Sequence, residues 1–182
     1  MISANGWLVD AVHCPSPNFN QRPNGMPIDL LVIHNISLPP GEFGGGWIQR
    51  FFQNQLDPQA HSYFASIASL QVSSHLLIDR LGNITQFVSF LDRAWHAGAS
   101  QFEGRDNCND FSIGIELEGT DHTPYTEAQY TALVHVTRLL LATYPAMSVD
   151  RIAGHVDVAP SRKTDPGPAF NWTVYRQMLT SI

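Results

Sequence analysis

The stretch Phe111-Ser112-Ile113-Gly114-Ile115-Glu116-Leu117-Glu118 alternates from Ile113 onward, with isoleucine, isoleucine and leucine on one parity and glycine and two glutamates on the other. Successive strand side chains point to opposite faces, so this reads as a strand with one apolar face, and Gly114, Glu116 and Glu118 share the other. A second strand, Leu30-Leu31-Val32-Ile33, is apolar without a break, as expected when both faces are buried, and it ends in His34 and Asn35. A polar pair at the end of a central strand is a good place for a site.

Outward from these two strands the pattern alternates between sheet and helix. Residues 73–79 read as a strand, 80–83 as a turn and 84–88 as its returning partner, a hairpin. Thr126 followed by Gln129 forms a capping box that opens a helix to about residue 144, stopped by Pro145, with Tyr130, Leu133, Thr137, Leu140, Leu141 and Tyr144 near one face. Asn171 caps a last helix that buries Trp172, Tyr175, Met178 and Leu179. Shorter helices are expected over about residues 47–54 and 58–68. Strands interleaved with helices predict an α/β fold: a single domain over residues 1–182, with a central mixed β-sheet flanked by α-helices. Residues 1–29, rich in proline and turn formers, read as an arm lying over that domain.

Composition narrows the function. The chain has 182 residues, 43% of them apolar and 14% charged, with a formal net charge of −6, so it lacks the basic face a nucleic-acid binder needs. No run approaches the length that spans a bilayer, and the N-terminus has neither a basic nor an apolar leader region; the expectation is a cytoplasmic protein without membrane partners. Cys14 and Cys108 lack metal-type spacing and are read as reduced thiols. Gly41 to Gly46 is glycine-rich but has no following Lys-Ser/Thr, which rejects a phosphate-cradling loop.

The segment from Gly154 to Pro168 concentrates a histidine, two aspartates, two basic residues and three prolines. Its prolines are expected to stiffen a loop that no helix spans, holding His155 and Asp165 toward one point. A His beside an Asp is as common in structural contacts as in metal sites, and spacing alone slightly favours the structural role. A hydrolytic zinc site takes three protein ligands and leaves a position open, so a third donor is needed, and His34 at its strand end is the candidate. Glu116, an ionisable group among apolar neighbours, is a candidate proton carrier, although Glu118 on the same face keeps a solvent-facing strand residue as the alternative. Lys163, two positions before Asp165, is a candidate positive group for an oxyanion, or else a solvated loop lysine. Trp95 and His96 suit a pocket wall against a sugar or an apolar ligand, and a core tryptophan is the alternative. His75 reads as core or as a support behind the ligands; His13, His61, His122 and His135 read as surface or structural.

Taken together, several segments resemble the zinc-dependent N-acetylmuramoyl-L-alanine amidases related to bacteriophage T7 lysozyme and the peptidoglycan-recognition proteins. They are Val32-Ile33-His34-Asn35-Ile36-Ser37-Leu38-Pro39-Pro40-Gly41-Glu42-Phe43-Gly44-Gly45, Ala94-Trp95-His96-Ala97-Gly98, Cys108 through Asp121, and Arg162-Lys163-Thr164-Asp165-Pro166-Gly167-Pro168. Within the family they are most similar to the cytoplasmic branch that acts on 1,6-anhydro-muramoyl peptides in cell-wall recycling. The resemblance implies a five-stranded or similar mixed sheet and one zinc per chain held by His34, His155 and Asp165. It also implies Glu116 as the catalytic carboxylate, Lys163 as the oxyanion-stabilising group, and substrate contacts at Asn35, Trp95 and His96. The implied substrate is a small muropeptide, cleaved between the lactyl group of muramic acid and L-alanine by a monomeric enzyme whose activity affects β-lactamase induction. Two rival readings are an amidase acting on intact peptidoglycan and a non-catalytic binder of peptidoglycan fragments. A zinc peptidase of other bond specificity is a third.

Overall fold

In the computed structural model, which describes residues 1–181, the two sequence-defined strands lie side by side. Strand β3 (Leu30–Ile36) and β9 (Ser112–Glu118) pair in parallel over seven residues, Leu30 opposite Ser112 through Ile36 opposite Glu118. Around them the sheet adds β1 (Val12–His13), β4 (Leu76–Ile78), β5 (Ile84–Gln86) and β10 (Ile152–Gly154). The order β1-β5-β4-β9-β3-β10 makes six strands, one more than five, because the N-terminal arm contributes β1 along the outer edge of β5. Only the β4/β5 hairpin is antiparallel within this sheet. Two small ribbons lie outside it: β2 (Phe19–Gln21) with β6 (Asp92–Ala94), and β7 (Gln101–Phe102) with β8 (Arg105–Asp106).

The alternation in β9 has the expected consequence. Ile113, Ile115 and Leu117 enter a core with Leu31, Ile33, Leu76 and Ile78, covered by helices α3 (Glu127–Thr143) and α5 (Trp172–Thr180). The capping box of α3 is complete: the Thr126 hydroxyl accepts from the Gln129 backbone at 3.1 Å, and Gln129 Oε1 accepts from Thr126 N at 3.1 Å. Asn171 Oδ1 likewise accepts from Val174 N at 3.0 Å to start α5. Between these helices the fully buried Tyr175 keeps its hydroxyl bonded to Thr137 at 2.7 Å, so its ring is buried without an orphaned polar tip.

The opposite face of the sheet is covered by α1 (Trp47–Phe52), α2 (Phe64–Ile67), α4 (His155–Val158) and the segment around Ala97. Two local expectations are corrected here. The helix read over 58–68 forms only in its last part, because Asp57 Oδ1 accepts from Gln59 N and His61 Nδ1 from Tyr63 N, which favour turns over a continuous helix. The segment after Gly154 does contain one helical turn: its first proline, Pro160, comes just after α4, and Asp157 Oδ2 accepts from Gly154 N at 2.7 Å to open that turn.

The N-terminal arm is tied to the domain by Arg22. Its guanidinium donates to the carbonyls of Phe90, Asn109, Asp110 and Ser112, and contacts His75 Nε2 at 3.1 Å. Among the described residues no helix is long and apolar enough to cross a membrane. Cys14 and Cys108 are both free, and burial raises both thiol pKa values.

Candidate metal centre

Parallel register assembles the site. His34 is directly opposite Glu116, and Glu116 is opposite Leu77 on the other side, so His34 and Glu116 project from one face as neighbours. On the far edge of β3, Gly154 is opposite Ile33, which sets His155 one step further along, beside His34. All three side chains thus gather at the carboxyl ends of parallel strands, where open α/β sheets form their ligand crevices. Asp165 is brought back to them by the chain reversal after α4, in which Asp165 O accepts from Val156 N at 2.9 Å.

The three donor atoms converge tightly. His34 Nδ1 and His155 Nδ1 are 2.9 Å apart, and Asp165 Oδ2 is 3.1 Å from the first and 3.0 Å from the second. The other nitrogen of His155 settles what this triangle requires. Nε2 lies 3.2 Å from the Ala97 carbonyl oxygen, which only accepts, so Nε2 carries the proton and the Nδ1 of a neutral His155 is a lone pair. Two nitrogen atoms and a carboxylate oxygen facing one point are the donor set of a cation, and the residues present fit one. Both imidazoles are almost fully buried, while Asp165 keeps partial exposure toward the cleft.

Electrostatics follow from that burial. Desolvation pulls His34 down to about 4, partly offset by the Asp165 carboxylate. Burial alone would raise Asp165, but the two histidine rings against its Oδ2 hold it well below the ordinary carboxylate range. Glu116 goes the other way: it is 8% exposed, its Oε2 has no hydrogen-bond partner, and burial, followed by repulsion from Asp165, raises it well above the ordinary range, with Lys163 opposing. Two carboxylates a few residues' width apart are therefore pushed in opposite directions, the pattern of a ligand beside a proton carrier.

The cleft in front of these groups has a volume of about 410 Å³ and an apolar wall that includes Leu38, Phe51, Tyr63, Leu70 and Trp95. A larger, shallower depression of about 640 Å³ lies outside α3 at Leu81, Ala128 and His135, away from every converging donor. Lys163 borders the cleft and a neighbouring groove with Thr120 and Asp121. Asn35 borders both too, but its amide donates to Asp121 at 2.8 Å. Trp95 stands in the cleft wall with its indole N–H bonded to Asn20 Oδ1.

His96 borders the cleft beside Trp95, and His75 lies deeper. His96 Nδ1 is 2.9 Å from His34 Nε2, behind the ligand, and its ring lies against Gly114. His75 sits one layer further back, accepting at Nδ1 from Gly114 N and touching Arg22 and the Asp92 carbonyl through Nε2. Glu118 is buried rather than solvent-facing: its carboxylate accepts from Gly44 N at 2.6 Å and from Arg80 N, which ties down the glycine-rich loop.

The buried histidines carry a pH signature. Burial lowers His34, His75 and His96, so between their folded values and about 6.5 the unfolded chain binds protons that the folded chain does not. Their stabilisation is present above about 6.5 and lost as pH falls. Glu116, raised on folding, opposes this with one group against three. In chelator-treated protein the urea midpoint is therefore expected to fall between pH 7 and pH 5; an unchanged or rising midpoint would contradict the burial of three neutral imidazoles.

The N-acetylmuramoyl-L-alanine amidase family model matches residues 24–168, which include every converging residue. The chain belongs to this family. Among its amidase relatives, the 1,6-anhydro-N-acetylmuramyl-L-alanine amidase AmpD of Enterobacter cloacae is 59% identical over 181 residues, covering 100% of this chain and 96% of the relative. The crystal structure of a selenomethionine AmpD derivative superimposes with a TM-score of 0.95 at 55% identity, over 99% of this chain and 100% of that one. The amidase AmiD of Escherichia coli, solved with anhydro-N-acetylmuramic acid-L-Ala-D-gamma-Glu-L-Lys, has a TM-score of 0.63 and 31% identity, covering 87% of this chain and 60% of its own. The single α/β domain with its mixed six-stranded sheet is thus an amidase fold of the AmpD type.

Two contributors to this cluster escaped the sequence reading: Ser112 and Asn109, which support His96. Arg162 donates to the Ala97 carbonyl that also receives His155. One signal was available: a glycine inside a strand, Gly114, marks a place where another group comes close.

Proposed function

We propose that this amidase hydrolyses the amide between the lactyl group of 1,6-anhydro-N-acetylmuramic acid and the L-alanine of the stem peptide, using one zinc ion, in the recycling of muropeptides in the cytoplasm. The observation that carries this reading is the 59% identity over the whole chain to an enzyme named for that bond. His34, His155 and Asp165 would hold the metal, two neutral imidazoles and one carboxylate leaving a divalent ion a net positive charge. Bound there, zinc would supply a Lewis acid for the scissile carbonyl and acidify water.

The chain's own residues account for the proton traffic and the charge. Glu116, with an unpartnered oxygen in a water-poor setting, takes a proton from the attacking water and returns it to the departing alanine nitrogen as the C–N bond breaks. Burial, which raises its pKa, favours the protonated form that hands the proton on. Lys163 borders the cleft beside Glu116 and would stabilise the carbonyl oxygen as it becomes negative. Trp95 and the apolar wall beside it would receive the sugar, with Asn35 at the border toward the peptide groove.

The test incubates purified protein, with and without a chelator, with anhydro-muramoyl tripeptide and with intact sacculi. Chelator-sensitive release of free tripeptide from the small substrate, with sacculi left uncut, is the expected result. Cleavage of sacculi in preference would move the enzyme to wall remodelling or lysis, and binding without release would make it a fragment binder.

A further inference from the structure

Against His34, on the side away from its Nδ1, stand His96 and Ser112, and His96 also borders the cleft. His34 Nε2 is 2.9 Å from His96 Nδ1, and His96 Nε2 is 3.1 Å from Ser112 Oγ. Ser112 is fully buried and His96 is half-buried. We propose that His96, anchored by Ser112, is a positioning residue that locks His34 into the tautomer that presents Nδ1 as a metal donor. The proposal rests on the assignment of His34 as a metal ligand.

The direction of the hydrogen bonds follows from the geometry. A neutral imidazole that offers Nδ1 to a cation carries its proton on Nε2, and that proton needs an acceptor. Only the lone pair of His96 Nδ1 stands at that position, so His34 Nε2–H donates to it. His96 must then carry its own proton on Nε2, which it donates to the Ser112 hydroxyl. A reversed His96, with its proton on Nδ1, would set two N–H groups against each other and push the His34 proton round to the donor triangle. The Ser112 hydroxyl, which can donate or accept, takes the accepting role here and holds the far edge of the His96 ring.

The surroundings hold His96 in this pose. Its ring lies so close to strand β9 that a Cβ on Gly114 would be 2.5 Å from His96 Cγ and Nδ1, so only glycine admits it. Asn109 Oδ1 accepts from the backbone N–H groups of both His96 and Ala97, at 3.1 and 2.8 Å. The next carbonyl, of Ala97, receives the Nε2 proton of His155. The segment Trp95-His96-Ala97 therefore orients both imidazoles of the triangle, one through a side chain and the other through the backbone. Outer partners of this kind commonly account for ~10–100-fold in metal affinity.

The test measures Zn²⁺ affinity by competition with a chromophoric chelator, and the ring tautomers of His34 and His96 by ¹⁵N NMR. His96→Leu is expected to weaken Zn²⁺ binding ~10–100-fold, and His96→Asn, which keeps an acceptor near the Nδ1 position, to recover most of it. Ser112→Ala leaves the ring in place; it should lower affinity less and make the His96 tautomer mixed, which keeps the proposal testable if His96→Leu misfolds. Unchanged affinity and unchanged tautomers in Ser112→Ala, or no difference between the Leu and Asn variants, would overturn it. If the wild-type protein itself binds no Zn²⁺, the metal assignment fails first.

Discussion

Glu116→Gln is expected to keep zinc and fold while losing ~10²–10⁴-fold in turnover, the usual contribution of a positioned proton carrier. The amide is nearly isosteric but can neither accept the water proton nor return it to the alanine nitrogen. Steady-state kinetics on anhydro-muramoyl tripeptide, with metal content measured on the same samples, checks this, and full activity in a metal-loaded variant would remove Glu116 from the mechanism. The same substitution should stabilise the chelator-treated protein. Because folding raises the Glu116 pKa, its effect is neutral below about 4.5 and a cost above, as the unfolded chain releases a proton the folded chain retains. Each unit of such a shift is about 1.4 kcal/mol, so the variant should match the wild type in urea at pH 4 and exceed it at pH 8. A group that is catalytically useful and thermodynamically unfavourable has this signature.

Asp165→Ala is expected to weaken metal binding by more than the ~10–100-fold typical of a lost outer partner, since it removes a donor itself. The variant leaves His34 Nδ1 and His155 Nδ1 at 2.9 Å with no anion between them and the cleft, and with the ligand charge on the metal reduced by one. Zinc content after dialysis reads the effect directly, and a full equivalent retained would exclude Asp165 as a ligand. Asp165 also raises Glu116 by repulsion, so its loss should lower the Glu116 pKa, a change detectable by carboxyl ¹³C NMR in chelated protein.

Local signals were legible wherever a single element set them. The Thr126/Gln129 box and the Asn171 cap are short-range, and both appear as side-chain contacts in place. Hydrophobic parity in β9 placed Ile113, Ile115 and Leu117 against the helices for the same reason. Where neighbours in sequence compete, the reading failed: turn-forming contacts of Asp57 and His61 shorten the helix before Phe64, and one proline-free turn after Gly154 is enough for α4. Glu118 was ambiguous because nothing local shows that Gly44 and Arg80 will come to cover it.

The sequence by itself determined the inventory: an alternating strand with a glutamate in its polar register, an apolar strand running into His34, and a proline-rich segment carrying His155, Lys163 and Asp165. Spacing left those residues between a metal site and ordinary contacts, and only a family resemblance assigned them. Tertiary structure decided their meeting. Parallel pairing of β3 with β9 and with β10 sets His34 between Glu116 and His155, and register is a long-range property that no single segment encodes. It also decided which groups stand behind the donor triangle: His96 lies against His34 Nε2, and the missing side chain of Gly114 is what makes room for it.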